Sequence, residues 1–144
     1  MNASTSVNAI PSNIVGRQYK KSAFFKATVA NFQDPANNNV LSLQMPPGSM
    51  VTGGSVNVTQ ASNETSTDTL SIGDSGSAAR YHAAIDFKTA AYTLLTATGF
   101  IYTPANSAVT ITRTPADSPD AATNGVVYIL VDYVTLDEAQ FTQG

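Results

Sequence analysis

The residues with the clearest chemical potential lie at positions 73–76, which read GDSG. This tetrapeptide frames the nucleophile of trypsin-like serine proteases, and the chain's one histidine, His82, follows Ser75 after seven residues. A serine nucleophile needs a base within hydrogen-bond reach and a third group that orients the base. Asp86 is the next acid along the chain. The sequence therefore offers Ser75, His82 and Asp86 as one local triad.

The order of residues and the local pattern both argue against that triad. Trypsin-like enzymes have their histidine far upstream of the serine, and this chain has no histidine upstream of Ser75. Residues 81–86 (YHAAID) have the pattern of a strand, in which successive side chains point to opposite faces. A turn explains the stretch better: Gly73 and Gly76 would supply positive φ, while Asp74 and Ser75 would bond to the turn backbone. We predict a turn between two strands and no catalytic residue.

Other residue patterns give no support for a metal, a cofactor or a reaction. The chain has no cysteine, which excludes disulfides and thiolate metal sites. The acids Glu64, Asp68 and Asp74 are close in sequence, but their spacing differs from that of an EF-hand calcium loop. Neither a phosphate-cradling glycine loop nor a dinucleotide fingerprint occurs. We expect a non-enzymatic protein that has no metal site and no cofactor.

Composition narrows the range of partners. The chain has 144 residues, the length of one domain, and only 12% of them are charged, against about 25% in an average soluble domain. A net charge of −3 disfavours nucleic-acid binding through a basic patch. The N-terminus lacks the pattern of a signal peptide, and no apolar run approaches the ~20 residues of a membrane helix. We expect neither nucleic acid nor membrane as a partner.

Residues 1–21 have the composition of an extended N-terminal arm. They are rich in Ser, Asn and other small residues, show no period, and end in a small basic cluster at residues 17–21. A frayed terminus is the ordinary interpretation. The arm nevertheless has apolar residues that a disordered tail does not need, and about 20 extended residues reach about 65 Å. The candidate partner-binding residues of the arm are Ile10, Ile14, Val15, Arg17, Tyr19, Lys20 and Lys21.

Residues 22–144 are predicted to form one β-sandwich domain. Short runs of β-branched and aromatic residues alternate with turn residues, which is typical of an all-β, antiparallel sandwich, with a jelly roll as the preferred form. Helical patterns are short, at 88–96 and 136–141. The predicted strands are 22–31, 40–44, 50–60, 67–72, 83–87, 100–102, 108–113 and 125–134.

The last predicted strand, at residues 125–134 (GVVYILVDYV), is apolar on both faces. Val127, Ile129, Val131 and Tyr133 share one face, and Val126, Tyr128, Leu130 and Val134 share the other. Such a strand lies at the centre of a sandwich or at a subunit contact.

The second half of the chain resembles small virion structural proteins of tailed bacteriophages, and capsid decoration (cement) proteins most of all. Three segments carry the resemblance: DTLSIGDSGSAARYHAAIDFKTAA, TLLTATGFIYTPANSAVTITRT and NGVVYILVDYV. The resemblance implies a jelly-roll-like homotrimer that is made in the cytoplasm of a bacterial host. It also implies binding to the major capsid protein on the outer surface of the capsid, where such a trimer stabilises the expanded head. The first 40 residues do not contribute to the resemblance.

A second interpretation keeps the protein in the virion as a head-fibre, neck or tail component with a host-glycan-binding face. Sugars often stack on tryptophan, and the chain has none, although tyrosines can replace it. The tyrosines available for this role are Tyr19, Tyr81, Tyr92, Tyr102, Tyr128 and Tyr133.

Overall fold

Two antiparallel four-stranded sheets pack against each other in the computed structural model, which describes residues 20–117 and 120–135 and the backbone of residues 8–9 and 141–142. A five-residue helix, α1 (Val29–Gln33), follows the second strand. In chain order, the strands are β1 (Asn8–Ala9), β2 (Lys21–Thr28), β3 (Val40–Gln44), β4 (Ser49–Gln60), β5 (Asp68–Asp74), β6 (Ser77–Asp86), β7 (Ala91–Leu94), β8 (Ala108–Pro115), β9 (Val126–Thr135) and β10 (Phe141–Thr142).

The order of the strands is that of a jelly roll. One sheet runs β2-β9-β4-β7 and the other β3-β8-β5-β6, with every neighbouring pair antiparallel. Except for the hairpin β5–β6, each connection from β2 to β9 carries the chain from one sheet to the other, as in double-sheet jelly rolls. The predicted antiparallel sandwich with jelly-roll character is therefore confirmed. Within the described residues, no helix is long and apolar enough to cross a membrane.

The core lies between the sheets, where alternate residues of each strand point inward. Strand β9 is central in its sheet, and its inward residues Val127, Ile129 and Val131 are fully buried. Strand β5 contributes Leu70 and Ile72, which are also fully buried. The period-2 pattern of the sequence thus determines the inner face of both layers.

Four predicted elements differ from the structure. The short strand expected over 83–87 is part of the longer β6, which begins at Ser77 directly after the turn and pairs with β5. The strand expected over 22–31 ends at Thr28, because Thr28 and Asn31 form a reciprocal capping box that begins α1. The helical turns expected over 88–96 are wrong: strand β7 occupies Ala91–Leu94 and pairs with β4. The strand expected over 100–102 is reduced to an isolated bridge between Ile101 and Met50. Most of the possible helix at 136–141 lies outside the described residues.

Candidate functional site

The GDSG stretch forms the hairpin between β5 and β6, as the sequence predicts. Ser75 lies at the exposed tip, and His82 lies five residues beyond the start of β6, roughly 15 Å along the strand. The imidazole Nδ1 of His82 is 2.9 Å from the backbone oxygen of Ala83. Asp86 accepts hydrogen bonds from the backbone of Lys88 and the hydroxyl of Thr89. The structure does not bring Ser75, His82 and Asp86 together.

The expected role of the two glycines in this turn is wrong. Neither Gly73 nor Gly76 has a positive φ. Gly73 is required for a different reason: a Cβ atom there would lie 2.1 Å from the backbone oxygen of Ser77. The predicted bonds from Asp74 are confirmed, because its Oδ1 accepts from the backbone N–H groups of Gly76 (2.9 Å) and Ser77 (3.0 Å).

Asp74 is also the centre of a buried network at this end of the sandwich. Its carboxylate accepts from Nε of Arg80, from Nη2 of Arg80 at 3.1 Å, from the Tyr102 hydroxyl at 3.3 Å and from Nδ2 of Asn106 at 3.2 Å. Burial raises the pKa of Asp74, but the hydrogen bonds from Arg80, Asn106 and the turn outweigh burial and lower it. We call Asp74, Arg80, Tyr102 and Asn106 the Asp74 network.

Aromatic side chains enclose the Asp74 network. The hydroxyls of Tyr81 and Tyr102 are 2.7 Å apart, and burial raises the pKa of both. The guanidinium of Arg80 lies 3.8 Å from the centre of the Phe100 ring, a cation–π contact. Phe100 and Tyr102 pack edge to face. The GDSG turn therefore forms one structural unit with Arg80 and Tyr81 and with Phe100 and Tyr102, although these lie apart in the sequence.

A second buried network lies at the other end of β5, around Arg113 on β8. Asp68 accepts from Nε of Arg113 at 2.9 Å and from Nη2 at 2.7 Å. Asp120 accepts from Nη1 of Arg113, and Glu64 lies 3.5 Å from Nη2. The hydroxyl of Ser62 donates to Asp68 at 2.5 Å. We call Arg113, Asp68, Asp120 and Glu64 the Arg113 network.

One arginine faces three carboxyl groups in the Arg113 network, and the pKa values of two of them, Glu64 and Asp120, move in opposite directions. Hydrogen bonding to Asp120, burial and hydrogen bonding to Asp117 raise the pKa of Glu64 to about 7. Burial raises the pKa of Asp120, but hydrogen bonds from Arg113 and Glu64 outweigh it and lower that pKa well below its ordinary value. Of these two groups, Glu64 is the one that titrates near neutral pH.

The acids considered for calcium do not form one site. Glu64 and Asp68 lie in the Arg113 network, where the guanidinium is their common partner. Asp74 is at the opposite end of β5 and binds Arg80. Among the described residues, no group of three or more acidic or histidine side chains is arranged to hold a metal ion.

Most of the candidate arm residues lie outside the described part of the chain: Ile10, Ile14, Val15, Arg17 and Tyr19. Lys20 is exposed, and its Nζ is 3.7 Å from Oδ2 of Asp132. Lys21 begins β2 opposite Tyr133. The backbone of Asn8–Ala9 pairs with Phe141–Thr142 as β1 and β10, so the two termini run side by side at that point. The division into arm and body stays a prediction.

The sequence interpretation missed the buried Arg113 and the half-buried Arg80, although the alternation of β8 contained the signal for Arg113. Val109, Ile111 and Arg113 are spaced by two, so Arg113 shares the inward face of β8. Asp68, Leu70, Ile72 and Asp74 share the inward face of β5 by the same rule. A charged residue on a core face needs a buried partner. Strand β5 supplies both partners here: Asp68 pairs with Arg113 of β8, and Asp74 pairs with Arg80 of β6.

The sequence matches no protein-family model and no curated protein. Two solved structures are similar in fold. A chain of the structure entitled "Cyanophage Pam1 capsid asymmetric unit" has a TM-score of 0.64 and 25% identity, over 93% of this chain and 96% of that chain. A chain of "Acidic stable capsid structure of Helicobacter pylori bacteriophage KHP30" has a TM-score of 0.55 and 20% identity, over 89% of this chain and 98% of that chain. The second likeness concerns the fold alone; the first supports a structural role in a phage virion.

Proposed function

We propose that this chain is a non-enzymatic capsid decoration (cement) protein, which binds the outer surface of a phage's major capsid protein lattice and stabilises the expanded head. The observation that carries the proposal is the coverage of the first likeness. It spans 93% of this chain and 96% of the chain in the cyanophage capsid, so the two chains have about the same length. The similarity is thus to a whole small subunit and not to one domain of a larger shell protein.

The internal chemistry of the chain fits a rigid clamp. The Asp74 network and the Arg113 network each tie loops to the strand ends, so both ends of the sandwich are fixed by buried ionic hydrogen bonds. A protein that holds neighbouring capsid subunits needs such rigidity, because a soft body transmits little restraint. Assembly as a homotrimer would add avidity, since several weak contacts on one body raise the effective concentration of each.

A host-attachment role is the second candidate, and the placement of two tyrosines is what favours it. Tyr92 is 63% exposed, and Tyr128 lies two strands away on the same face of the sheet. Tyr81 and Tyr102 are buried and hydrogen-bonded to each other, so they are not available to a glycan. Binding of the purified chain to host polysaccharide, lost in Tyr92→Ser, would favour this candidate.

Copy number separates the two candidates. Quantitative mass spectrometry of purified virions should give a number of copies comparable to that of the major capsid protein if the chain decorates the shell. A handful of copies would contradict decoration and support a neck, tail or fibre position. As a second test, the purified chain should co-sediment with capsids assembled without it and raise their temperature of disruption.

A further inference from the structure

The two sheets have very different outer surfaces. The large apolar side chains that are exposed in the described part of the chain lie on or beside the sheet β2-β9-β4-β7. They are Phe24 at 65%, Tyr92 at 63% and Leu94 at 65% on its strands, and Ile101 at 46% in an isolated bridge to β4. Residues that pair across strands share a face. Leu130 pairs with Phe24 and with Ser55, and Ser55 pairs with Leu94, so these four residues form one row across the sheet.

A second row runs beside the first. Lys26 pairs with Tyr128, Tyr128 with Asn57, and Asn57 with Tyr92. The rings of Phe24 and Tyr128 stack with 5.7 Å between centroids, which connects the two rows. Ile101 joins the same face through its bridge to Met50, which pairs with Val134. We call the outer surface formed by Phe24, Tyr92, Leu94, Ile101, Tyr128 and Leu130 the apolar face.

The outer surface of the opposite sheet is polar throughout its central strands. Thr110 pairs with Ser42 and Gly73, Thr112 with Ser71, and Thr114 with Thr69. A sandwich that needed only solubility would have no reason to differ in this way between its two layers. The apolar face extends about 20 Å along β9, from Tyr128 to Val134, and about 14 Å across four strands. The hydrogen-bonded pair of Ser22 and Asp132 interrupts it between Leu130 and Val134. An exposed apolar patch of that size, a few hundred Å², marks an interaction surface.

The charge on and beside the apolar face is mainly positive, although the whole chain has a net charge of −3. Lys26 points outward from β2, and no ion pair joins it to a described residue. Lys20 precedes the same strand and reaches Asp132. Arg80 and Arg113, by contrast, are neutralised internally by buried carboxylates. A partner that covers the apolar face therefore needs apolar side chains and a carboxylate opposite Lys26.

A neighbouring copy in a ring is a poor occupant of this face. A ring is built from heterologous contacts, in which two different surfaces of the same chain meet. Within the described residues, the exposed large apolar side chains all lie on the apolar face, which leaves no second apolar surface to receive it. The chemistry points to a different chain.

We infer that the apolar face is the surface through which this chain docks on another virion protein, one that presents apolar side chains and a carboxylate opposite Lys26. The inference rests on the proposed function, in which that protein is the major capsid protein. The polar face of the other sheet then points to solvent, and Lys26 pairs with a carboxylate of the partner.

Two matched substitutions, each of which introduces a lysine, test the inference. Leu94→Lys and Ser42→Lys each place a lysine at an exposed position of an edge strand, one on the apolar face and one on the opposite sheet. The full-length chains are titrated onto capsids assembled without this protein, and bound chain is measured by co-sedimentation. We expect Leu94→Lys to weaken binding at least about tenfold and Ser42→Lys to bind like the wild type. Lys26→Gln should bind more weakly and respond less to added salt than the wild type.

Thermal unfolding checks that each variant is folded, and Tyr92→Ser replaces Leu94→Lys if the latter unfolds. Equal binding by Leu94→Lys and the wild type, or a larger loss in Ser42→Lys, would overturn the inference while leaving the proposed function intact. A smaller oligomer for Leu94→Lys in light scattering would also overturn it, because the apolar face would then join copies of this chain. Failure of the wild type itself to bind capsids would instead overturn the proposed function, and the inference would fall with it.

Discussion

At the scale of single residues, Asp74 is the side chain on which the β5–β6 corner depends. Its carboxylate accepts from the turn backbone, Arg80, Tyr102 and Asn106. In Asp74→Asn, an amide N–H would face these donors and Arg80 would lose its counter-charge, so we expect the free energy of unfolding to fall by about 3 kcal/mol. Urea denaturation measures this loss. Asp86→Asn, a matched change on the exposed end of β6, should cost less than about 1 kcal/mol; equal losses in the two variants would contradict the role of the network.

Glu64 gives the stability of the chain a specific dependence on pH. Its pKa is about 7 in the folded chain, against 4.5 for a free glutamate, because Asp120 and burial favour the protonated form. Between about pH 4.5 and 7 the folded state therefore holds a proton that the unfolded state has released, and the free energy of unfolding falls as the pH rises through this interval. The lowered pKa values of Asp74 and Asp120 act in the other direction, and only under more acidic conditions.

Glu64→Gln isolates this effect, because a glutamine keeps the hydrogen-bonding shape without a titratable proton. Urea denaturation at several values between pH 4.5 and 7.5 should show a decline for the wild type and a flatter profile for the variant. Parallel declines in the two proteins would assign the pH dependence to another group.

At the scale of elements, the β5–β6 hairpin requires a glycine at position 73, whereas the bulge of β4 between Val51 and Gly53 does not require one at position 53. A Cβ atom at Gly73 would lie 2.1 Å from the backbone oxygen of Ser77, and one at Gly53 would meet nothing within 4 Å. Gly73→Ala should therefore separate the hairpin strands and lower the melting temperature by about 5 °C or more. Gly53→Ala should leave it unchanged or raise it slightly, because alanine reduces the entropy of the unfolded chain. Thermal unfolding of both variants tests this, and a similar loss in each would contradict the close approach at Gly73.

An element could be predicted from the sequence where its local pattern agrees with its final pairing and burial. Strands β3 and β9 were predictable within a residue because their pattern, propensity and final burial agree. Strand β7 was not, because the stretch AAYTLL favours a helix locally and becomes a strand only by pairing with β4. Helix α1 was missed although Thr28 and Asn31 have capping-box spacing, since the predicted strand ran on to Asn31. The ionic networks needed partners that are far apart in the sequence, such as Asn106 for Asp74, and spacing along the chain does not reveal those.

At the scale of the whole molecule, the two outer faces of the sandwich determine how a bound subunit must be oriented. The sheets of a sandwich lie about 10 Å apart, and side chains extend beyond each, so one flat partner cannot cover both outer surfaces. The apolar face covers about a third of the area per partner that a standard stable interface buries. A single subunit would therefore hold its partner weakly, and many identical contacts on one lattice would supply the stability that one contact lacks.

The absence of cysteine from the chain makes this orientation directly measurable. A cysteine introduced by Tyr92→Cys or Ser42→Cys is the sole thiol of the subunit, and both positions are exposed in the unbound chain. On capsids, the maleimide reaction at position 92 should slow at least about tenfold because the contact excludes the reagent, while the rate at position 42 should match that of the free chain. Protection at position 42 alone would mean that the polar sheet faces the capsid, and the apolar face would then be left in water, where nothing would offset its exposure.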